Sequence, residues 1–244
     1  MSDKSYFYRI SKKNFFLKKL FIFYNIYIRN FKFLFNSSQL KEDEYISSYF
    51  KEGYKGRFVD LGCFHPTRHN NTFKLYKKGW RGINIDLNKT TIDLFNAIRP
   101  EDINICAALS NKKGYTNMYY LGDFSVHNTI QKNNLDLLYK HFSINKKDIR
   151  IKKIKTEIID DILKKYKFFN FDFMSVDIEG EEIKVLKTLN LNKYNIKYIC
   201  VEIFNHNKKS KENNLKVIKY LKKNGYFLKD KTAINYIFKK KKLS

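Results

Sequence analysis

Two short apolar runs constrain this chain more than any other feature. Phe58-Val59-Asp60-Leu61 leads straight into Gly62-Cys63-Phe64-His65-Pro66, and Gly82-Ile83-Asn84-Ile85 ends in Asp86. A buried strand followed by a glycine turn lets a ligand approach the backbone closely. A second strand ending in a carboxylate about two dozen residues later offers an acceptor pair for the two hydroxyls of a ribose. That order describes the nucleoside-binding edge of an open α/β sheet. A pyrophosphate cradle needs several glycines opening a helix, whereas this turn has one, followed by bulky Cys63, Phe64 and His65. A nucleoside without a diphosphate fits better, which favours S-adenosylmethionine over a nicotinamide dinucleotide. An ordinary buried strand and turn would explain either segment alone; the two in this order weigh against it.

From Phe58 onward, strand and helix patterns alternate. Strands are expected at 58–61, 82–86, 103–108, 150–155, 171–176 and 198–203, with an extra one near 116–120. Helices are expected at 71–78, 89–98 behind an Asn88 cap, 135–141, 156–166 starting at Thr156, 181–189 and 211–223. Ser37-Ser38 reads as the cap of an earlier helix carrying Leu40, Tyr45, Ile46, Tyr49 and Phe50 and stopped at Gly53. Such alternation predicts an α/β fold, a mostly parallel sheet with helices on both faces. The last two strands, 226–229 and 234–238, are too close for a crossover helix and should form an antiparallel hairpin.

The chain carries 49 Lys and Arg against 24 Asp and Glu, a formal charge of +25. This balance ordinarily suggests nucleic acid or an anionic membrane. Only seven of those cations are Arg, however, and they form no stripe. Sequence-specific nucleic-acid sites concentrate Arg where two-pronged contacts matter, so a generally solvated Lys surface is the better reading and no specific nucleic acid is expected. Cys63, Cys106 and Cys200 lie far apart without a Cys-x-x-Cys pair, which fits buried thiols in a reducing compartment better than a zinc site or disulfides. Residues 1–36 form a basic, aromatic extension to a domain over 37–244. Its longest apolar run, from Leu20 to Ile28, is too short to span a bilayer. Lys12, Lys13, Lys18, Lys19, Arg29 and Lys32 interleave there with large apolar residues. The expectation is a cytoplasmic protein touching the inner face of a membrane peripherally through this segment; the competing reading packs the same side chains on the domain.

The third informative segment is Phe171-Asp172-Phe173-Met174-Ser175-Val176-Asp177-Ile178-Glu179-Gly180-Glu181. Ligands of open α/β sheets sit beyond the carboxyl ends of the strands, so Asp60, Asp86 and Asp177 should converge on one rim. Asp177 can hold the amino-acid part of the cofactor or a substrate hydroxyl, and Glu179 can act as general base. Glu181 needs no more than a helix-start role. A Mg²⁺ site from Asp177, Glu179 and Glu202 matches by ligand type but carries less weight than a metal-free site. His65, in the turn beside the cofactor, is a reserve base against an ordinary structural histidine. Asn70, Asn71 and Thr72 either cap the next helix or touch the ligand. His127 with Asn128-Thr129, and His206 with Asn205 and Asn207, lie on loops of the same rim, where loop polarity alone also accounts for them.

These segments resemble the FkbM family of S-adenosylmethionine-dependent methyltransferases. The matching residues are Phe58–Pro66, Asn71-Thr72, Gly79-Trp80-Arg81-Gly82-Ile83-Asn84-Ile85-Asp86, Arg99-Pro100, Asp172–Glu181 and Val201-Glu202, in the family's order. The resemblance implies a Rossmann-like class I methyltransferase fold and O-methylation of sugar or polyketide hydroxyls. It implies Asp60, Gly62 and the following turn, with Phe64 and His65, around the methionine end, and Asp86 on the ribose. Asn71, Leu87, Ala108 and Asp177 complete the implied cofactor set, while Asp177, Glu179 and His65 form the catalytic one. Asp86 stands where Glu is commoner, and Cys63 and Phe64 replace small residues. The expected activity is methyl transfer to a hydroxyl, of a sugar in a glycan or glycolipid. An RNA-modifying methyltransferase and a non-catalytic, membrane-held α/β module remain as alternatives.

Overall fold

The computed structural model describes residues 14–35, 37–38, 41–123, 125, 127–141, 144–205 and 208–241. Ten strands are described: β1 Arg57–Leu61, β2 Arg81–Asp86, β3 Ile103–Cys106, β4 Ala108–Leu109, β5 Gly114–Tyr120, β6 Arg150–Glu157, β7 Phe173–Val176, β8 Tyr198–Glu202, β9 Tyr226–Lys231 and β10 Asn235–Lys240. Seven build the main sheet in the order β3-β2-β1-β7-β8-β10-β9. β1 pairs in parallel with β2 and β7, β2 with β3, and β7 with β8. The expected C-terminal hairpin is present, with β10 antiparallel to both β8 and β9. Strand order therefore reverses between β1 and β7, the point where an open α/β sheet leaves a crevice.

Alternation along the strands sets the two faces. Val59, Leu61, Ile83, Ile85, Met174, Val176, Ile199 and Val201 share one buried layer with Ile159, Ile162 and Leu163 of helix Ile159–Lys165. Val185 and Leu186 of helix Glu182–Leu186, and Val217 and Leu221 of helix Lys208–Lys223, belong to the same layer. Phe58, Phe173, Cys200 and Ile237 point the other way, onto Ile46, Leu75 and Trp80. Helices thus cover both faces, as the alternation predicts.

The structure corrects several local expectations. The apolar run 103–108 is not one strand: Cys106 pairs with Asp86 in the main sheet, while Ala108 pairs with Thr156 in a second sheet of order β4-β6-β5. Thr156 does not start a helix, because pairing on both edges of β6 keeps it extended; the helix begins at Ile159 behind Ile158. Ser37 and Ser38 do not cap helix Glu42–Ser48 either. Their hydroxyls donate to the Asp43 carboxylate at 2.7 and 2.6 Å, and the helix starts behind Lys41 in a left-handed conformation. Leu40 and His206 lie outside the described residues.

The described part of the N-terminal extension is a helix, Phe15–Phe23, capped by the Asn14 side chain and running into a wider turn over Tyr24–Ile28. Phe21 and Ile26 are buried against Leu94, and Lys77 donates to the Leu34 carbonyl at 3.0 Å. The segment is therefore seated on the domain. Phe15, Phe16, Phe23, Ile28, Phe31 and Phe35 nevertheless remain more than half exposed. Among the described residues no helix is long and apolar enough to cross a membrane.

Candidate active site

Beyond the carboxyl ends of β1, β2, β7 and β8 lies a cavity of about 500 Å³. Of the residues expected at the site, Gly62, Phe64, Asn71, Asp86, Leu87, Ala108, Asp177 and Glu179 line it; Asp60 and His65 do not. Period-two geometry explains Asp60. It shares the face of Phe58, one residue before the strand's end, and is 3% exposed beneath the cavity wall.

Asp60 acts through neighbours. Its Oδ2 accepts from Thr72 Oγ1 at 2.8 Å and from Asn70 Nδ2 at 3.3 Å. Arg99, fully buried, donates to Asn70 and Thr72 and forms a 2.8 Å ion pair with Asp102. Burial raises the Asp60 pKa, while Thr72, Arg99 and Asn70 pull it down. His65 is 2% exposed, and its Nδ1 accepts the backbone N–H groups of Thr67 and Arg68 at 3.2 and 3.1 Å. Its Nε2 lies 3.4 Å from the Asn30 amide. Burial and Arg68 push its pKa down to about 3, so this histidine is a neutral organiser of the turn.

At Gly62 the lips of the crevice nearly touch. Its φ is +79°, and a Cβ there would lie 1.7 Å from the Asp177 carbonyl oxygen. Only glycine fits both restrictions. Asp86 is fixed by two backbone donors, Phe64 N–H on Oδ2 at 3.0 Å and Asn88 N–H on Oδ1 at 2.7 Å. Each carboxylate oxygen keeps a second lone pair for a ligand. Burial lifts the Asp86 pKa to about 6, against the pull of those N–H groups.

The β7 side differs. Carboxylate oxygens of Asp177, Glu179 and Glu202 all lie within 4.8 Å of one another. Asp177 is open to the cavity although protein surrounds it. Its pKa is raised by burial and then by Glu202, while Glu179 and Glu202 are each pushed up to about 8, first by burial and then by neighbouring carboxylates. Glu179 has φ +56°, a left-handed conformation unfavourable for a residue with a Cβ. The turn holds it there: Asn134 donates to the Glu179 carbonyl at 3.1 Å, and Glu182 accepts from Gly180 N–H at 2.9 Å and Ile178 N–H at 3.3 Å. Glu181 keeps its helix-start place, paired with Lys184 at 2.7 Å.

A third wall comes from the segment between β5 and β6, which contributes Ser125, His127, Asn128, Thr129, Ile130, Asn134 and Leu138. His127 is kept below its ordinary pKa by burial. The sequence marks His127, Asn128 and Thr129 but carries no signal for Asn134. Arg68 also lines the cavity; its one hint is that it is a rare arginine in a lysine-rich chain.

The methyltransferase FkbM domain family matches residues 54–228. Among solved structures the chain is similar to methyltransferase FkbM from Methylobacillus flagellatus KT, at 13% identity and TM-score 0.51, over 91% of this chain and 54% of that one. It thus spans about half the length of that protein. It is also similar to a TehB-like SAM-dependent methyltransferase from Corynebacterium glutamicum ATCC 13032, at 14% identity and TM-score 0.42, over 83% of this chain and 88% of that one. An O-methyltransferase from Bacillus cereus in complex with SAH aligns at 8% identity and TM-score 0.44, over 81% and 77% of the two chains. No curated protein matches.

Proposed function

The chain belongs to the FkbM family of methyltransferases, and on that premise we propose that it methylates a hydroxyl oxygen, that of a sugar in a glycan or glycolipid, with S-adenosylmethionine as donor. The wall of the cavity carries the argument. Glu42, Asp86, Asp177, Glu179 and Glu202 face one permanent cation, Arg68, in a chain whose formal charge is +25. Such a wall suits a ligand bearing sulfonium and ammonium charges, which stabilise the ionised form of its carboxylates. Asp86 keeps free lone pairs for a ribose and Gly62 lines the cavity beside it, so the residues present fit the cofactor.

Bound there, S-adenosylmethionine supplies an electrophilic methyl group. Asp86 would hold the ribose, and Leu87 and Ala108 offer apolar lining beside it. Asp60, backed by Thr72 and Arg99, keeps the turn after β1 in place. Asp177 takes the ammonium group or an acceptor hydroxyl. Transfer of this kind depends chiefly on holding the reacting atoms in line. Glu179 accepts the hydroxyl proton, a role suited to a carboxylate whose pKa of about 8 lies near the working pH. The test supplies methyl-labelled S-adenosylmethionine to glycan, glycolipid and RNA fractions. Base-stable label in the sugar fractions is expected; label entering RNA or base-labile esters overturns the hydroxyl reading.

A second observation bears on place. No Asp or Glu occurs between Lys4 and Lys41, and the described part of that stretch exposes nine large apolar side chains between Phe15 and Phe35. This combination supports peripheral seating on an anionic membrane, each cation near the surface contributing about 1 kcal/mol. Sedimentation with anionic liposomes at low and high salt, comparing the full chain with one starting at Ser37, tests it; equal partitioning refutes the seating.

A further inference from the structure

Arg68 has a donor with nowhere to go. Its Nε is buried without a hydrogen-bond partner. Among the described residues lining the cavity it is the one permanent cation, yet no carboxylate of that wall pairs with it. Its guanidinium sits 5.8 Å from the centre of the Phe33 ring and 5.3 Å from that of Phe64. Both rings lie within cation–π range of the guanidinium, and burial with nearby Arg29 disfavours its charge. Buried N–H groups without acceptors are rare in native proteins. A planar guanidinium held this way matches a carboxylate or phosphate in two-pronged fashion.

We propose that Arg68 is the anion-binding residue of the cavity, holding the carboxylate or phosphate oxygens of a bound molecule. Two sources offer such a group: the α-carboxylate of the methyl donor, and an acidic group on the acceptor. The first source rests on the methyltransferase reading; the second requires only the cavity.

Isothermal titration of the full chain separates them, using wild type, Arg68→Gln and Arg68→Lys. The probes are S-adenosylhomocysteine, 5′-methylthioadenosine (which lacks the amino-acid end), and glucuronate or inorganic phosphate added to protein with and without S-adenosylhomocysteine. If Arg68 holds the donor's carboxylate, Arg68→Gln weakens S-adenosylhomocysteine by about ten- to a hundredfold and leaves methylthioadenosine unchanged. If it holds an acidic group of the acceptor, nucleoside affinities stay level, and the glucuronate or phosphate binding seen with wild type disappears. Equal behaviour of wild type and both variants toward every probe overturns the proposal. Wild-type protein that binds neither nucleoside but binds phosphate through Arg68 instead overturns the methyltransferase reading and leaves the anion site standing. Thermal melts establish that each variant is folded. Should Arg68→Gln fail that check, Arg68→Lys carries the comparison, since it keeps the charge and loses the fork.

Discussion

The two lips of the crevice are built from one pattern, an apolar strand running into acid and glycine, yet the protein treats their charges in opposite ways. On the β1–β2 side every carboxylate is satisfied. Asp60 accepts from Thr72 and Asn70 with Arg99 behind them, and Asp86 accepts two backbone N–H groups. On the β7–β8 side Asp177, Glu179 and Glu202 crowd together, with no cation among the described residues between them. The first arrangement offsets the cost of burying its carboxylates with hydrogen bonds. The second stores unfavourable energy, which persists at sites where a ligand or a proton transfer uses it. On the function proposed above, binding falls to the first lip and chemistry to the second.

The sharpest way to break this contrast is at the point where the lips meet. Gly62→Ala would drive a Cβ into the Asp177 carbonyl and should cost more than about 4 kcal/mol of stability, read by urea unfolding. A variant as stable as wild type would show that the lips do not approach as described. Next, Arg99→Leu leaves Asp102 buried and uncompensated, for which about 3–5 kcal/mol is expected. Glu202→Gln on the other lip replaces one of three crowded carboxyl groups, already costly to ionise there, with a neutral amide and should leave stability level or raised. If both changes destabilise alike, the two lips are not electrostatic opposites.

Activity provides the middle range. Glu179→Gln should lower kcat by about two to three orders of magnitude with cofactor affinity little changed. In wild type kcat should climb as pH rises through about 8, where Glu179 loses its proton. Full activity in the variant would reduce Glu179 to a turn residue. Asp86→Ala should do the reverse, weakening S-adenosylhomocysteine by about ten- to a hundredfold with the β7 side intact; unchanged affinity in titration would remove Asp86 from the ribose.

How much of this was legible depends on whether a residue's role is local. Gly62, Asp86, Asp177 and Glu179 stand at strand ends, where sequence order and sheet topology decide their position, and all four line the cavity. Asp60 misled because one residue of strand parity turns it from the crevice to the opposite face. His65 misled because a turn beside a ligand also needs a buried acceptor for its own N–H groups. The second sheet was hidden by a continuous apolar run, 103–108, whose break at Ala107 arises from pairing with distant β6. Arg68 and Asn134 matter through Phe33, Phe64 and the Glu179 carbonyl, contacts that only the folded chain creates.

The effect spread over the most groups concerns pH and stability, where the lips should again part company. Glu179 and Glu202 titrate near 8 in the folded protein, whereas glutamates in the unfolded chain titrate at about 4.3. Between those values the folded state retains protons that the unfolded chain has released. Stability must then fall as pH rises through this window, since the unfolded state binds fewer protons there. Asp86, near 6 by burial, adds a smaller fall confined to the lower half of the window. The melting temperature of the ligand-free protein should therefore drop between pH 5 and pH 8.5, the drop being distributed over several groups. Glu202→Gln should flatten the upper half of the curve, and Asp86→Asn only the lower. A cationic ligand that settles the β7 carboxylates should reduce the drop as well, so S-adenosylmethionine is expected to raise the melting temperature more at pH 8.5 than S-adenosylhomocysteine, which lacks the sulfonium charge. Identical pH curves for wild type and Glu202→Gln would mean that the crowded lip does not hold its protons, and the division between a binding side and a chemical side would fail with it.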